Sequence, residues 1–201
     1  MHRVAGSLRA DRTPKGYPPT DRVRDTHHGG MTQNESAPRV VVMGVTGSGK
    51  TTVGTRLAAA LGVPFAEGDD FHPAANIERM RAGIPLTDAE RRPWLDRIAA
   101  WLAGATGGGV VSCSALARAY RDTLRAAAPD VLFVHLDVPR PVLDRRVRER
   151  RGHFMAPQLL DSQLALLEPL GPDEPGVVLD GTRPPEELVA RARELMRTTP
   201  R

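Results

Sequence analysis

The feature that most constrains this chain is a glycine-rich segment between an apolar run and a helical pattern. Residues 44–51 read Gly-Val-Thr-Gly-Ser-Gly-Lys-Thr, after the apolar run 39–43 and before the pattern 53–61. Glycines at this junction let consecutive backbone N–H groups and the positive end of a helix surround an anion. The segment fits G-x-x-x-x-G-K-[ST] in the strand-loop-helix setting that this motif requires. It predicts a site for a nucleoside triphosphate.

The motif predicts a distinct task for each kind of residue in it. Lys50 is expected to reach the β- and γ-phosphates, and the Thr51 hydroxyl is expected to bind Mg²⁺. A glycine-rich turn with a chance lysine is the alternative, but strand, spacing and helix all agree with the motif. The expected nucleotide contacts are Gly44, Thr46, Gly47, Ser48, Gly49, Lys50, Thr51 and Thr52.

Length and composition limit the classes of protein that remain. A chain of 201 residues with 40% hydrophobic content suits one globular domain, and no apolar run approaches the length of a membrane span. The net charge is only +4, with 28 basic and 24 acidic residues interleaved, which argues against a nucleic-acid or membrane partner. The single cysteine, Cys113, suits a reducing compartment and predicts a buried small side chain in a cytoplasmic protein. The sequence does not distinguish a monomer from a homodimer.

The N-terminal residues 1–37 differ in character from the rest of the chain. They are rich in Gly, Pro, Thr, Asp and Arg, show no apolar periodicity, and lack the apolar core of a secretory signal. Such a segment cannot bury enough apolar surface to offset its ordering entropy. We predict a disordered extension over 1–37 and a P-loop domain over 38–201.

From residue 39 onward, short apolar runs alternate with helical patterns. This alternation predicts an α/β fold of the P-loop three-layer type, with a parallel five-stranded sheet and helices on both faces. Thr87-Asp-Ala-Glu90 is a capping box that predicts the start of a long helix. The predicted strands lie near 39–43, 64–66, 109–113, 131–136 and 177–179, and the other predicted helices near 53–61, 76–80, 118–128, 141–151, 159–168 and 184–196.

Chemically reactive residues follow the predicted strands, where the ligand crevice of an open α/β sheet lies. Asp69, Asp70 and His72 follow the second strand, and Ser114 follows the third. An arginine-rich helix then breaks at Gly152. Arginines beside a P-loop can neutralise a migrating phosphoryl group while a closing segment excludes water. We therefore predict a mobile lid over about residues 146–165.

Several longer motifs carry a resemblance to a known family. They are the P-loop, His72-Pro-x-x-Asn-Ile-x-Arg-Met-x-x-Gly-x-Pro-Leu-x-Asp-x-x-Arg-x-Pro-Trp-Leu95, Cys113-Ser-Ala-Leu116 with Tyr120-Arg-Asp122, and Arg150-x-Gly-His-Phe-Met155. In this order and spacing they resemble the gluconate kinase (gluconokinase) family, small P-loop kinases similar in fold to shikimate kinase. The resemblance runs from about residue 40 to 196.

The resemblance implies an activity and assigns roles at matching positions. The implied reaction transfers the γ-phosphate of ATP, with Mg²⁺, to the 6-hydroxyl of D-gluconate. Asp69 would orient or deprotonate that hydroxyl, or hold a metal-bound water. Near the sugar acid would lie His72, Asn76, Arg79, Arg118 and His153, with Arg79 as a partner for the carboxylate. The lid arginines Arg146 and Arg150 would meet phosphates or the adenine.

One departure from the family pattern affects the acceptor side. The family usually has a lysine after Cys-Ser-Ala-Leu, where this chain has Ala117 followed by Arg118. Adjacent helix positions point about 100° apart, so simple replacement by Arg118 is not assured.

Other functions compete with gluconate phosphorylation. A kinase for another small acceptor, such as a shikimate-like acid or a nucleotide, is the nearest of them. A GTP-dependent switch is disfavoured because lysine occurs only at positions 15 and 50, which leaves no Asn-Lys-x-Asp base reader. A non-enzymatic nucleotide-binding protein would result if Ala117 had disabled the chemistry.

Overall fold

The protein was characterised as a computed structural model that describes residues 37–149 and 157–198. The predicted extension therefore falls, up to residue 36, outside the described residues. Among those described, no helix is both long and apolar enough to cross a bilayer.

The centre of the fold is a five-stranded sheet in which every strand pairing is parallel. The spatial order β2-β3-β1-β4-β5 places the first strand in the middle, so the chain winds out from it in both directions. Central parallel strands are covered on both faces, which explains why they read as continuous apolar runs. The strands are β1 (Arg39–Met43), β2 (Phe65–Glu67), β3 (Gly109–Ser112), β4 (Leu132–Asp137) and β5 (Gly176–Asp180).

The helices cover the two faces of this sheet and confirm the predicted three-layer architecture. Predicted and observed ends agree within a few residues, and residues 150–151 of the predicted arginine-rich helix lie outside the described residues. The helices are α1 (Lys50–Leu61), α2 (Ala74–Arg81), α3 (Asp88–Gly104), α4 (Arg118–Ala127), α5 (Arg140–Glu149), α6 (Pro157–Leu166) and α7 (Pro185–Thr198).

Alternating side chains of β1 build two separate cores. Val41 and Met43 pack with residues of α3 and α4 on one face, while Val40 and Val42 pack with residues of α1 and α7 on the other. This follows from the two-residue period of a strand. Cys113 lies in the first core, where burial raises the pKa of its thiol to about 12, as expected for a structural cysteine.

Local signals set the helix ends that border the cleft. Thr87 Oγ1 accepts the backbone N–H of Glu90, and the Glu90 carboxylate accepts the N–H of Thr87, which confirms the capping box. Gly49 has a φ of 98° and ends the glycine-rich loop directly before α1, a conformation that residues with a side chain rarely adopt. Helix α1 therefore begins directly at the end of the glycine-rich loop.

Candidate active site

A cleft of about 450 Å³ opens beyond the carboxyl ends of the strands. The P-loop and α1 form one side of it, and the turn after β2 with α3 forms another. Residues of α5 and α6 complete its wall. The predicted crevice is therefore present, and two groups of residues from different strand ends share it.

The P-loop has the backbone geometry of a phosphate-binding cradle. Gly44, Gly47 and Gly49 all have positive φ, at 139°, 79° and 98°. Thr46, Gly47, Gly49, Lys50, Thr51 and Thr52 line the cleft. Gly44 and Ser48 are buried and are not among the lining residues, so their contacts with a nucleotide stay predictions. Positive φ angles of this kind allow backbone N–H groups of a loop to turn towards an anion.

Two cations flank this loop. Lys50 Nζ donates to the Val45 carbonyl oxygen at 3.0 Å, across the loop that precedes α1. Arg146, on α5, donates to the carbonyls of Gly47 at 3.3 Å and Gly181 at 3.1 Å and also lines the cleft. Arg146 therefore joins the P-loop to the segment after β5, on the side where a nucleotide would bind.

Thr51 is oriented by a carboxylate that carried no predicted role. Its hydroxyl donates to Glu67 Oε2 at 2.7 Å, and the other Glu67 oxygen accepts from Ser112 Oγ. Because the Thr51 proton points to Glu67, the oxygen lone pairs stay available for a cation. Mg²⁺ prefers oxygen ligands and uses few protein carboxylates beside substrate phosphates, which fits this pair. Among the described residues, no group of three or more His, Cys, Asp or Glu side chains is arranged to hold a metal ion.

The turn that carries Asp69 is held close against the sheet. A Cβ on Gly68 would come within 1.9 Å of the Ser112 carbonyl oxygen, so only glycine fits there. Gly68 N–H donates to Ser112 Oγ at 3.1 Å, and Trp94 Nε1 donates to the Gly68 carbonyl at 2.7 Å. These contacts fix the turn, and Asp69 lines the cleft at its exposed end.

His72 lies against the same wall as a buried, neutral imidazole. Its ring stacks on Trp94 with centroids 4.4 Å apart. Burial lowers the pKa of His72 to about 4; Asp69 opposes this shift and Arg91 adds to it. Asn76 Nδ2 donates to the Glu90 carbonyl at 2.7 Å and lies 3.4 Å from His72 Nδ1. Nδ1 is then the acceptor, so the neutral ring carries its proton on Nε2.

Three predicted acceptor residues do not reach the described cleft lining. Asn76 is buried and braces His72 and Glu90. Arg79 lies 3.0 Å from Glu90 in an ion pair. The Arg118 guanidinium pairs with Asp173, with Nη1 to Oδ1 at 3.0 Å, on the exposed surface. The structure therefore shows no direct approach of these three to the cleft, and their roles toward the acceptor stay predictions; Arg150 and His153 lie outside the described residues.

Sequence reasoning missed several residues that the tertiary structure brings to the cleft. Glu67 could have been found, because a carboxylate at a strand's carboxyl end lies at the crevice. Arg91 and Tyr120 stood in the family motifs without an assigned role, and both line the cleft. Gln163 of α6 had no local signal, yet its Oε1 accepts the Thr46 N–H at 2.6 Å. That N–H belongs to the P-loop, so α6 contacts the phosphate cradle directly.

Comparisons with known proteins agree with this geometry. The gluconokinase of Gluconobacter oxydans (strain 621H) is 48% identical over 167 residues, which cover 79% of this chain and 94% of the relative. The chain belongs to the gluconokinase family. The family model described as an AAA domain matches residues 40–170. The crystal structure of a gluconokinase from Sinorhizobium meliloti 1021 superposes with a TM-score of 0.74 at 46% identity, over 82% of this chain and 94% of the other.

The predicted relation to shikimate kinase holds at the level of fold. The shikimate kinase of Bacteroides thetaiotaomicron superposes with a TM-score of 0.59, over 80% of this chain and 98% of that one. Sequence identity is only 22%, so the similarity concerns the architecture and not the acceptor. This gluconokinase family member therefore shares its fold with that protein.

A buried ion pair supports two walls of the cleft in this member of the gluconokinase family. Arg121 of α4 and Glu174 have fully buried side chains joined by two hydrogen bonds of 2.6 and 2.9 Å. Arg121 Nη1 also donates to the carbonyls of Ala115 at 3.1 Å and Leu116 at 2.9 Å, after β3. It further reaches the Glu168 carbonyl at 3.2 Å, just beyond α6. One guanidinium thus ties the loop after β3 to the segment that carries α6.

Replacing Arg121 by methionine is expected to destabilise the protein by about 3–5 kcal/mol, because Glu174 would remain buried without its partner. Replacing Glu174 by leucine in the same chain should recover much of this loss. Urea unfolding of both variants at pH 7 measures the difference. Arg125→Met, on the same helix but at a partly exposed pair, serves as the control. Equal stability of Arg121→Met and wild type would contradict the role of this pair.

The same pair predicts a dependence of stability on pH. Arg121 hydrogen bonding lowers the pKa of Glu174, and burial opposes this effect. A carboxyl whose folded pKa is depressed contributes its stability above the unfolded pKa of about 4.3 and loses it as pH falls through the folded value. As pH is lowered from 5, the free energy of unfolding of the Arg121→Met/Glu174→Leu variant should therefore fall less than that of wild type. Parallel curves would contradict this expectation.

Proposed function

We propose that this protein transfers the γ-phosphoryl group of ATP to the 6-hydroxyl of D-gluconate, releasing ADP and 6-phosphogluconate. One observation carries the proposal: a P-loop and a separate acidic turn share a single cleft in a member of the gluconokinase family. Phosphoryl transfer depends on positioning and on neutralising charge, which is what these two sides supply.

The P-loop side would hold the nucleotide. Backbone N–H groups of Gly47 and Gly49 and the amino end of α1 would contact the phosphates, with Lys50 and Arg146 balancing their charge. Gln163 would have to release the Thr46 N–H for that amide to join the cradle. Bound Mg²⁺ would draw charge from the phosphate oxygens, and the Thr51 oxygen, with its proton held by Glu67, would be its protein ligand.

The turn after β2 would serve the acceptor. Asp69 would orient the hydroxyl or take its proton, or hold a metal-bound water. His72 would offer its Nε2–H as a neutral hydrogen-bond donor, kept in place by Asn76 and Trp94. Asn76 thus acts through His72 rather than by contact. Arg150 and His153 retain the roles that the family resemblance assigns, within a lid of about residues 146–165.

The proposal also covers the compartment, the oligomeric state and the N-terminal segment. A reducing cytoplasmic environment suits a protein whose single cysteine is buried and free. Light scattering of the purified protein decides between a monomer and a homodimer. Circular dichroism of the isolated segment 1–37 tests the proposed disordered extension.

An acceptor panel tests the proposed reaction. ADP release with ATP–Mg²⁺ is expected to rise strongly with D-gluconate and much less with shikimate, glycerate or a nucleoside monophosphate. The reason is that an extended sugar acid and a rigid ring place their hydroxyls differently relative to the γ-phosphate. A clear preference for another acceptor would mean that gluconate is not the substrate. ADP release that does not depend on an acceptor would contradict the kinase reaction.

A further inference from the structure

The two sides of the cleft differ in charge. Near the P-loop the described lining carries the cations Lys50 and Arg146, which suit phosphates. On the side of the turn after β2 the lining carries the carboxylates Glu67, Asp69 and Asp70. An acceptor that is itself a carboxylate would be repelled by this acidic side unless a cation met its charge. Within the described lining, one such cation lies away from the P-loop, and it is Arg91.

Arg91 is held in a defined position by residues of two helices. It lies in the first turns of α3, and its side chain is 17% exposed. Nη1 donates to Tyr120 Oη at 3.0 Å and to Asp88 Oδ1 at 3.3 Å. The guanidinium carbon lies 5.6 Å from the centre of the Tyr120 ring. An arginine that is already ordered loses little side-chain entropy when a ligand binds.

The hydrogen bonds of Arg91 occupy one of its three nitrogens. In the part of the chain that the structure describes, Nε and Nη2 have no hydrogen-bond partner. A guanidinium can bind a carboxylate through two parallel N–H···O bonds. Arg91 therefore keeps the donor pair that planar recognition of a carboxylate uses.

The other candidates for this task lie outside the described lining, are uncharged, or contact the P-loop. Arg79, which the sequence favoured, pairs with Glu90 outside the described lining. His72 is neutral near pH 7 because burial lowers its pKa to about 4. Lys50 and Arg146 contact the P-loop backbone on the nucleotide side.

We infer that Arg91 recognises the carboxylate of the acceptor, with Tyr120 orienting its guanidinium, and that Arg91 thereby selects sugar acids over neutral polyols. This inference rests on the proposed function and names the residue that determines the class of acceptor. It also gives the acceptor a direction: the carboxylate lies at α3, and the far hydroxyl is left for Asp69 and the γ-phosphate.

The test compares an acceptor with and without its negative charge. D-gluconamide replaces the carboxylate of D-gluconate by a neutral amide of nearly the same shape. Steady-state kinetics with each acceptor are measured for wild type, Arg91→Ala, Arg91→Lys, Arg79→Ala and Arg92→Ala. Arg92, exposed on the same helix and paired with Asp96, is the matched control.

Arg91→Ala is expected to lower kcat/KM for gluconate roughly 10- to 150-fold, the range for a lost hydrogen bond to a charged group. The loss should appear mainly in KM, while kcat/KM for gluconamide changes less than about threefold. Arg91→Lys should restore part of the activity with gluconate, because it keeps the charge but not the paired donors. Arg92→Ala should match wild type with both acceptors.

Three results would overturn the inference. Equal losses with gluconate and gluconamide in both Arg91 variants would mean that Arg91 only supports the fold. A charge-selective loss in Arg79→Ala, with none in the Arg91 variants, would return the task to Arg79. Unchanged gluconate kinetics in Arg91→Ala would mean that Arg91 does not bind the carboxylate of the acceptor. Failure of the proposed function itself is seen separately, because wild type would then phosphorylate neither acceptor.

Discussion

Replacing Lys50 by alanine is expected to lower kcat at least about 10- to 150-fold. The loss of one hydrogen bond to a charged group is worth roughly 1.5–3 kcal/mol, and each 1.36 kcal/mol is a factor of ten in rate. Lys50 Nζ contacts the Val45 carbonyl within the P-loop, so the side chain already lies along the path that the phosphates would occupy. Turnover at saturating ATP and gluconate measures the effect.

The control for Lys50→Ala comes from the same helix. Arg56 of α1 is about half exposed and pairs with Glu186, away from the described cleft lining. Arg56→Ala is therefore expected to keep kcat within about twofold, since exposed ion pairs contribute little to stability. Near wild-type turnover of Lys50→Ala would remove the P-loop lysine from the mechanism.

Replacing Asp69 by asparagine is expected to lower kcat by about 10²–10⁴-fold, the usual contribution of a positioned general base. Asparagine has nearly the same shape and keeps the turn that Gly68 and Trp94 hold against the sheet. Calorimetric affinities for ATP and gluconate should therefore change only a few-fold. Asp96→Asn, at an exposed position of α3, is the matched control.

The same variant separates the roles that remain open for Asp69. If Asp69 takes the proton of the hydroxyl, the loss in kcat persists at every Mg²⁺ concentration. If it holds a metal-bound water, raising the Mg²⁺ concentration restores much of the rate. Wild-type kcat in Asp69→Asn would exclude both roles and move attention to Asp70, which follows it in the same turn.

The amino-acid sequence by itself determined the fold class and the P-loop side of the cleft. The reason is that their signals are local. Gly44, Gly47 and Gly49, whose positive φ angles shape the loop, all lie within a few residues of Lys50. The apolar runs of the strands are continuous along the chain. The Thr87 capping box likewise acts over three residues, and its helix starts where it predicts.

Which arginines reach the cleft was decided only by the tertiary structure. Arg79 and Arg91 both stand in the motif that resembles the gluconokinase family, yet Arg79 pairs with Glu90 and Arg91 enters the cleft. Arg118 pairs with Asp173, 55 residues away, and Gln163 meets Thr46 across 117 residues. Such contacts depend on how distant elements pack together. The spacing of residues within one helix therefore carries no information about them.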